Sequence, residues 1–335
     1  MANKVKVALI GAGRIGKLHG RTLAQLVPNA TLAAVVDVNA DAARALAGEL
    51  GVATRTVDEV LADRSIDAVA ICSATDTHAP LIIQAAKAGK HIFCEKPLAA
   101  DLGRIDEALA AVEKAGVRLM VGFNRRFDPN AVRIKAAIKS GEIGTPHLLL
   151  ITSRDPAPPP IAYVKVSGGI FFDMTIHDFD MARFLLGDVV EIYAAAAVLV
   201  DPEIGRAGDV DTAMITLKFG SGAIGVIDNS RKAVYGYDQR MEVFGSKGSA
   251  KSENFFANAV TVSTGEAVSR DLPLNFFIER YTPSYQAELE AFARCVADGT
   301  AAPVTGADGR APVVMARAAA LSLKENRPVR LSEIR

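Results

Sequence analysis

The sequence predicts two domains of different class. The first is an α/β Rossmann domain with a mostly parallel sheet over residues 1–124. The second is an α+β domain with a large, mainly antiparallel, open-faced sheet over residues 125–335. Two observations carry this expectation. In the first stretch, short apolar runs rich in β-branched residues alternate with helical stretches, as in βαβ units whose sheet is covered on both faces. In the second, strand-like runs follow one another with only Gly, Asp and Ser turns between them, which favours antiparallel pairing. A chain of 335 residues is long enough for two cores.

Residues 5–10 read as a buried parallel strand, followed at once by GAGRIG, with Gly11, Gly13 and Gly16 in GxGxxG spacing. The first Gly makes the turn, the second lets backbone approach a pyrophosphate, and the third lets helix and strand pack closely. The helix over residues 15–26 then offers its positive end to the anion. The strand at 32–36 ends in Asp37, about 20 residues beyond the motif, where an acid accepts hydrogen bonds from an adenosine ribose. That context argues against a Gly-rich turn without a ligand. Asp37 would repel a 2′-phosphate and Val38, Asn39 and Ala40 offer no cation, so NAD is expected over NADP, with Arg44 the one nearby exception. Arg14 and Ile15 complete the expected contacts of this loop.

Helices are expected at 42–50, 57–62 and 80–88, and strands at 68–72 and 91–94. Ligands of open parallel sheets bind beyond the carboxyl ends of the strands. Ser73, Thr75 and His78 occupy one such end and are expected at the cofactor, although His78 could equally be a helix-start residue. Glu95 and Lys96 occupy the next, fixed by Pro97. An ammonium there could stabilise alkoxide character on a reacting hydroxyl, the alternative being a surface Lys in a turn.

Beyond a helix at 102–115 and a strand at 117–123, the pattern changes to a helix at 130–140 and a strand at 147–152. Strand-like runs follow at 189–200, 212–219, 223–229, 239–244 and 259–264, then helices at 285–297 and 311–324. The stretch SGGIFFDMTIHDFDMARFLLG, residues 167–187, reads as a helix with Asp173 and His177 four residues apart on one face. A carboxylate stacked with an imidazole can make an oriented base, or it can be an ordinary solvent-face pair. Asp180 lies off that face, and no metal is expected there or elsewhere, since no HExxH or Cys/His cluster occurs. Apolar surface at 194–200 and 213–217 predicts an oligomer.

Lys plus Arg and Asp plus Glu both number 38, which gives no electrostatic case for nucleic acid or an anionic membrane. No run approaches the roughly 18 apolar residues of a membrane span. Cys72, Cys94 and Cys295 are isolated and odd in number, and the chain opens straight into a strand pattern. A reduced, cytoplasmic protein is expected.

Together VALIGAGRIGKLHG, the acid of VVDVN, SATDTH, CEKPLA and GGIFFDMTIHDFD resemble the Gfo/Idh/MocA oxidoreductase family over essentially the whole chain. TSRDPAPPP at 152–160, the run from Ser167 and YGYDQRMEVFGSKG at 235–248 are similar to its inositol 2-dehydrogenase branch. SRDPAPPP departs from the loop of some members, which carries His and Asn. The resemblance implies that Lys96, Asp173 and His177 form the catalytic set and that Arg126, Asp155, Tyr237 and Tyr285 line a cyclic-polyol pocket. It also implies a homotetramer. The implied reaction is NAD-dependent oxidation of a ring hydroxyl of myo-inositol, with His177 as base. The rival expectations are another inositol isomer or pyranose, a glucose–fructose oxidoreductase, and a non-catalytic NAD-binding sensor.

Overall fold

The computed structural model describes residues 4–335. The first elements are β1 (Val5–Ile10), α1 (Arg14–Gln25), β2 (Ala30–Val36), α2 (Ala40–Leu50), β3 (Ala53–Thr54) and α3 (Val57–Ala62). β4 (Ala68–Ile71), α4 (Thr75–Lys87), β5 (His91–Glu95), α5 (Leu102–Ala115) and β6 (Leu119–Gly122) complete the alternating series. After a 3₁₀ turn (Asn124–Phe127) come α6 (Pro129–Lys139), β7 (Pro146–Arg154), α7 (Ile161–Val164), α8 (Ile170–Asp173) and α9 (Thr175–Leu186). Then follow β8 (Val189–Ala197), α10 (Pro202–Arg206), β9 (Thr212–Phe219), β10 (Ile224–Ser230), β11 (Asp238–Gly245), β12 (Gly248–Ser252), β13 (Thr261–Ser263) and β14 (Val268–Arg270). Two long helices, α11 (Phe277–Ala297) and α12 (Gly306–Glu325), and β15 (Val329–Arg330) end the series.

The chain divides into two compact units. One is the chain through Phe127 with Pro283–Ala311; the other is Asp128–Thr282 with Pro312–Arg335. The boundary therefore differs from a single cut at residue 124, because a later segment returns to the first unit. Val121 N donates to Val304 O at 3.1 Å, and the Phe292 ring lies 5.8 Å from that of Phe93.

In the first unit six strands run β3-β2-β1-β4-β5-β6, all neighbours parallel. β4 is buried along its whole length, as a strand covered on both faces must be. Val7, Leu9, Val69 and Ile71 are fully buried. Each such side chain contributes about 1.5–3 kcal/mol of burial before conformational entropy is set against it. The α4 helix begins at Thr75, not near residue 80, and Pro80 lies inside it. Pro80 has no N–H and lies beyond the first turn, so the helix forgoes one internal bond there.

The second unit holds a seven-stranded sheet, β12-β11-β7-β10-β9-β8-β15, in which only β7 and β10 pair parallel. Its inner face buries Leu149, Ile151, Ile215, Leu217 and Ile227 in one core with Ile134 of α6, Phe179 of α9 and Met315 of α12. On the outer face, register sets Leu148, Ile224 and Phe244 side by side, with Leu150 and Met214 beyond them. These five side chains are 42–49 % exposed. Of the stretches expected to leave apolar surface, Val198, Leu199 and Met214 are exposed, whereas Ala194, Ala213, Ile215 and Leu217 are buried. The strand expected at 259–264 is β13, paired only with β14 outside the large sheet.

Candidate active site

At the end of β1 the glycines do what their spacing requires. Gly11 has φ +108°, and a Cβ on it would lie 2.5 Å from Cys72 O; one on Gly16 would lie 2.0 Å from Gly11 O. Gly13 caps α1 without a side-chain hydrogen bond, and a Cβ there would meet nothing within 4 Å. Open space over uncapped helix N–H groups fits a pyrophosphate. The carboxylate of Asp37 is fixed beside it, accepting from Ala12 N at 2.6 Å through Oδ2 and from Asn39 N at 2.7 Å through Oδ1. Its remaining lone pairs suit ribose hydroxyls. Arg44, the cation that could have offered a 2′-phosphate site, pairs with Asp41. Arg14 is exposed and Ile15 half-buried at the mouth of the same loop.

The next two strand ends are tied together. His78 is 1 % exposed, with Nδ1 2.8 Å from Pro97 O and Nε2 3.1 Å from Ser73 O. Both ring nitrogens face main-chain carbonyls, so the ring braces the loop after β4 against the loop after β5. Burial lowers the His78 pKa, although the two carbonyls and Glu95 pull the other way. Ser73 hydrogen-bonds Thr77 at 2.6 Å, and Thr75 is exposed at the start of α4.

Glu95 is also turned inward. Its Oε1 lies 2.6 Å from His19 Nε2, and its Oε2 accepts from Lys96 N at 3.2 Å. Glu95 is thus engaged in a buried hydrogen bond with His19. Glu288 lies beside it, with ligand atoms of His19, Glu95 and Glu288 all within 4.8 Å of one another. At 2.6 Å the His19–Glu95 contact is a hydrogen bond and too close for two ligands of one ion at ordinary metal–ligand bond lengths. Both Glu288 oxygens lack a hydrogen-bond partner. Burial, and then the charge of Glu95, hold its pKa well above the usual carboxyl range. Lys96 is half-buried at the end of β5, and its bond to Pro97 is cis.

In the second unit, Asp173 and His177 do not share one regular helix. Asp173 ends α8 and His177 is in the first turn of α9, with Met174 (φ −98°, ψ −59°) between them. Asp173 Oδ1 accepts from the Tyr163 hydroxyl at 2.8 Å and Oδ2 from Arg231 Nη1 at 3.1 Å. Below them Asn229 donates to Asp178 Oδ2 at 2.9 Å and to Ser153 O at 3.2 Å, and accepts from Thr175 at 2.5 Å. Asp178 and Asp180 are fully buried. Tyr163, Arg231 and Asn229 were missed from sequence. Arg231 sits in DNSRK, which reads as a surface turn, and only Tyr163, beyond a Pro run, carries even a faint signal.

The expected pocket residues are distributed between the units. In the first, Arg126 pairs with Asp308 at 3.1 Å. Burial pushes the Asp308 carboxyl up, but Arg126 and Thr305 outweigh it and hold the pKa below the usual value. Tyr285 also belongs to this unit, its ring 5.5 Å from His19. In the second unit, Asp155 follows β7 half-buried, and Tyr237 is 6 % exposed with its ring edge-on to Tyr281. A depression of about 440 Å³ lined by Val27, Ala30 and Leu50 lies at the amino end of β2. Ligands of open parallel sheets bind at the opposite, carboxyl end of the strands.

Residues 5–123 match an oxidoreductase family with an NAD-binding Rossmann fold, and residues 131–251 match the GFO/IDH/MocA C-terminal domain. The chain is 50 % identical over 333 residues to a myo-inositol 2-dehydrogenase of Thermotoga maritima, covering 98 % of this chain and 99 % of that one. It is 47 % identical over 329 residues to an inositol 2-dehydrogenase of Rhizobium meliloti, covering 98 % and 99 %. Among solved structures, scyllo-inositol dehydrogenase of Lactobacillus casei with bound NAD(H) and scyllo-inositol superposes with TM-score 0.92 at 28 % identity, covering 98 % of this chain and 100 % of that one. Family models thus match both halves of the chain, and the chain belongs to the Gfo/Idh/MocA oxidoreductases.

Proposed function

We propose that this chain is an inositol 2-dehydrogenase that oxidises the secondary ring hydroxyl of myo-inositol to the corresponding ketone. The observation that carries this reading is the full-length likeness, at half identity, to a myo-inositol 2-dehydrogenase. Gly11, Gly13, Gly16 and Asp37 would hold NAD, with Arg14, Ile15, Ser73 and Thr75 around it, and the bound nicotinamide would supply the acceptor for the hydride of the carbinol carbon. His177 accepts the hydroxyl proton, Asp173 orients the imidazole and a neighbouring hydroxyl, and Lys96 hydrogen-bonds the reacting oxygen. An imidazole base suits proton transfer near neutrality. Arg126, Asp155, Tyr237 and Tyr285 supply the paired donors and acceptors that an uncharged polyol needs. A site of that kind rejects analogues lacking one hydroxyl strongly.

A second reading, scyllo-inositol as substrate, is favoured by the likeness to the scyllo-inositol complex. Initial rates of NADH formation with NAD and a panel of myo-, scyllo- and chiro-inositol, glucose and xylose separate the two. Preferential turnover of myo-inositol is expected. Activity on another polyol alone moves the substrate but keeps the chemistry. Measurable NAD binding without turnover of any of them sinks the enzyme reading in favour of a sensor.

The outer sheet face, with Leu148, Leu150, Met214, Ile224 and Phe244, supports a homo-oligomer, a tetramer by family likeness. Light scattering of a Leu150→Glu variant should show a smaller mass than the parent, and an unchanged mass argues against this face. Among the described residues no helix is long and apolar enough to cross a membrane, and the three cysteines are buried and unpaired. A reducing, cytoplasmic setting suits both.

A further inference from the structure

Arg231 is the largest fully buried side chain among the described residues. A buried guanidinium costs several kcal/mol unless its charge is paired, so its partners indicate its purpose. Nη1 donates to Asp173 Oδ2 at 3.1 Å and Nη2 to Asp209 Oδ2 at 3.2 Å. Asp209 is held in turn: its Oδ1 accepts from Ile170 N, the first residue of α8, at 3.0 Å. A Cβ on Gly169 (φ +86°) would lie 2.8 Å from the same oxygen, so this close approach needs glycine. The other end is anchored by Arg231 N, which donates to Asp211 O at 2.8 Å. Arg231 therefore ties both ends of α8 to the segment after β10.

The arrangement has a direction. The Arg231 side chain is 0 % exposed, whereas that of Asp173 is 16 % exposed. The guanidinium backs the carboxylate, and Tyr163, itself 41 % exposed, holds the other oxygen from the solvent side. An ion cluster that served stability alone would be matched or bettered by packed apolar side chains. Here the cluster instead fixes the plane of one carboxylate that stays partly exposed.

We propose that Arg231 is a positioning residue for Asp173, with Tyr163 as its solvent-side counterpart, and that the pair sets the angle at which the carboxylate meets its partners in the reaction. This rests on the reading of Asp173 as a catalytic group. A misplacement of about 1 Å costs on the order of 100-fold in rate. Arg231→Met should therefore lower kcat about 100-fold while the Kd for NAD stays within about twofold, and Arg231→Lys should recover part of the loss. Tyr163→Phe, which removes one exposed hydrogen bond to a charged group, should lower kcat about 10-fold.

The deciding experiment is a double-mutant cycle with Asp173→Asn, each rate normalised to the NAD-binding fraction. Expected is non-additivity: in the Asp173→Asn background, Arg231→Met and Tyr163→Phe each change kcat by less than about twofold. Equal losses in both backgrounds would overturn the positioning role while leaving Asp173 catalytic. Parental turnover in Asp173→Asn alone would overturn the reading of Asp173 and this proposal with it. If Arg231→Met fails to fold, the Tyr163→Phe arm decides by the same criteria.

Discussion

Two carboxylates, one in each unit, are held in opposite ways. Asp37 is gripped by backbone: Ala12 N belongs to the glycine turn and Asn39 N lies two residues on. Asp173 is gripped by side chains distant in sequence, Tyr163 and Arg231. The first arrangement comes with the βαβ unit, because strand order and a tight turn bring those amides there in any sequence that forms it. The second exists only because β10 ends where α8 ends. A backbone grip tolerates side-chain change around it; a side-chain grip depends on each member.

The sharpest way to break this contrast is to remove each carboxylate. Asp173→Asn should lower kcat by about 100- to 10,000-fold with NAD affinity little changed, the scale of loss of a group engaged in proton transfer. Asp37→Ala should leave kcat with saturating NAD within severalfold but weaken the preference for NAD over NADP by about 10-fold or more, as a repulsive partner is lost. Steady-state kinetics with both cofactors checks the pair. A large kcat loss in Asp37→Ala, or none in Asp173→Asn, would erase the distinction.

A finer test stays within the backbone-made half. Gly13→Ala adds a methyl where no atom lies within 4 Å and where φ is −71°, so the fold should persist. The same methyl intrudes on the space for a pyrophosphate, and the Kd for NAD should rise about 10-fold or more, a cost of about 1.4 kcal/mol. Unchanged affinity by titration calorimetry would remove the cofactor from that cradle.

The smallest effect concerns stability. Glu288 has a folded pKa above its unfolded value, so its native state keeps a proton that the unfolded chain releases. Its contribution is complete below the ordinary value of 4.5 and is lost as pH rises above it. Glu288→Gln, which cannot ionise, should therefore match the parent near pH 4 and melt higher than it near pH 8. The gain should be about 2–4 °C for each kcal/mol recovered. A Tm difference independent of pH would mean that the pair of buried acids is not what limits stability.

Much of the first unit was legible because its signals are local. Gly11, Gly13 and Gly16 lie close together in one short segment, and Asp37 ends the next strand. What no pattern showed is where two side chains turn: His78 meets main-chain carbonyls and Glu95 meets His19. One residue of rotation on a short loop decides that, and no periodicity records it.

The sequence alone determined the cofactor cradle, the alternation that makes a parallel sheet, the change of grammar near residue 124 and the family to which these motifs belong. Those are matters of turn chemistry, hydrophobic period and short-range spacing. Only the tertiary structure decided that residues 283–311 fold with the first unit, that the apolar outer face is built from Leu148, Ile224 and Phe244, and that a buried Arg231 stands behind Asp173. Each depends on strand order and register, which join residues dozens of positions apart, and a pattern read along the chain carries no trace of who will be opposite whom.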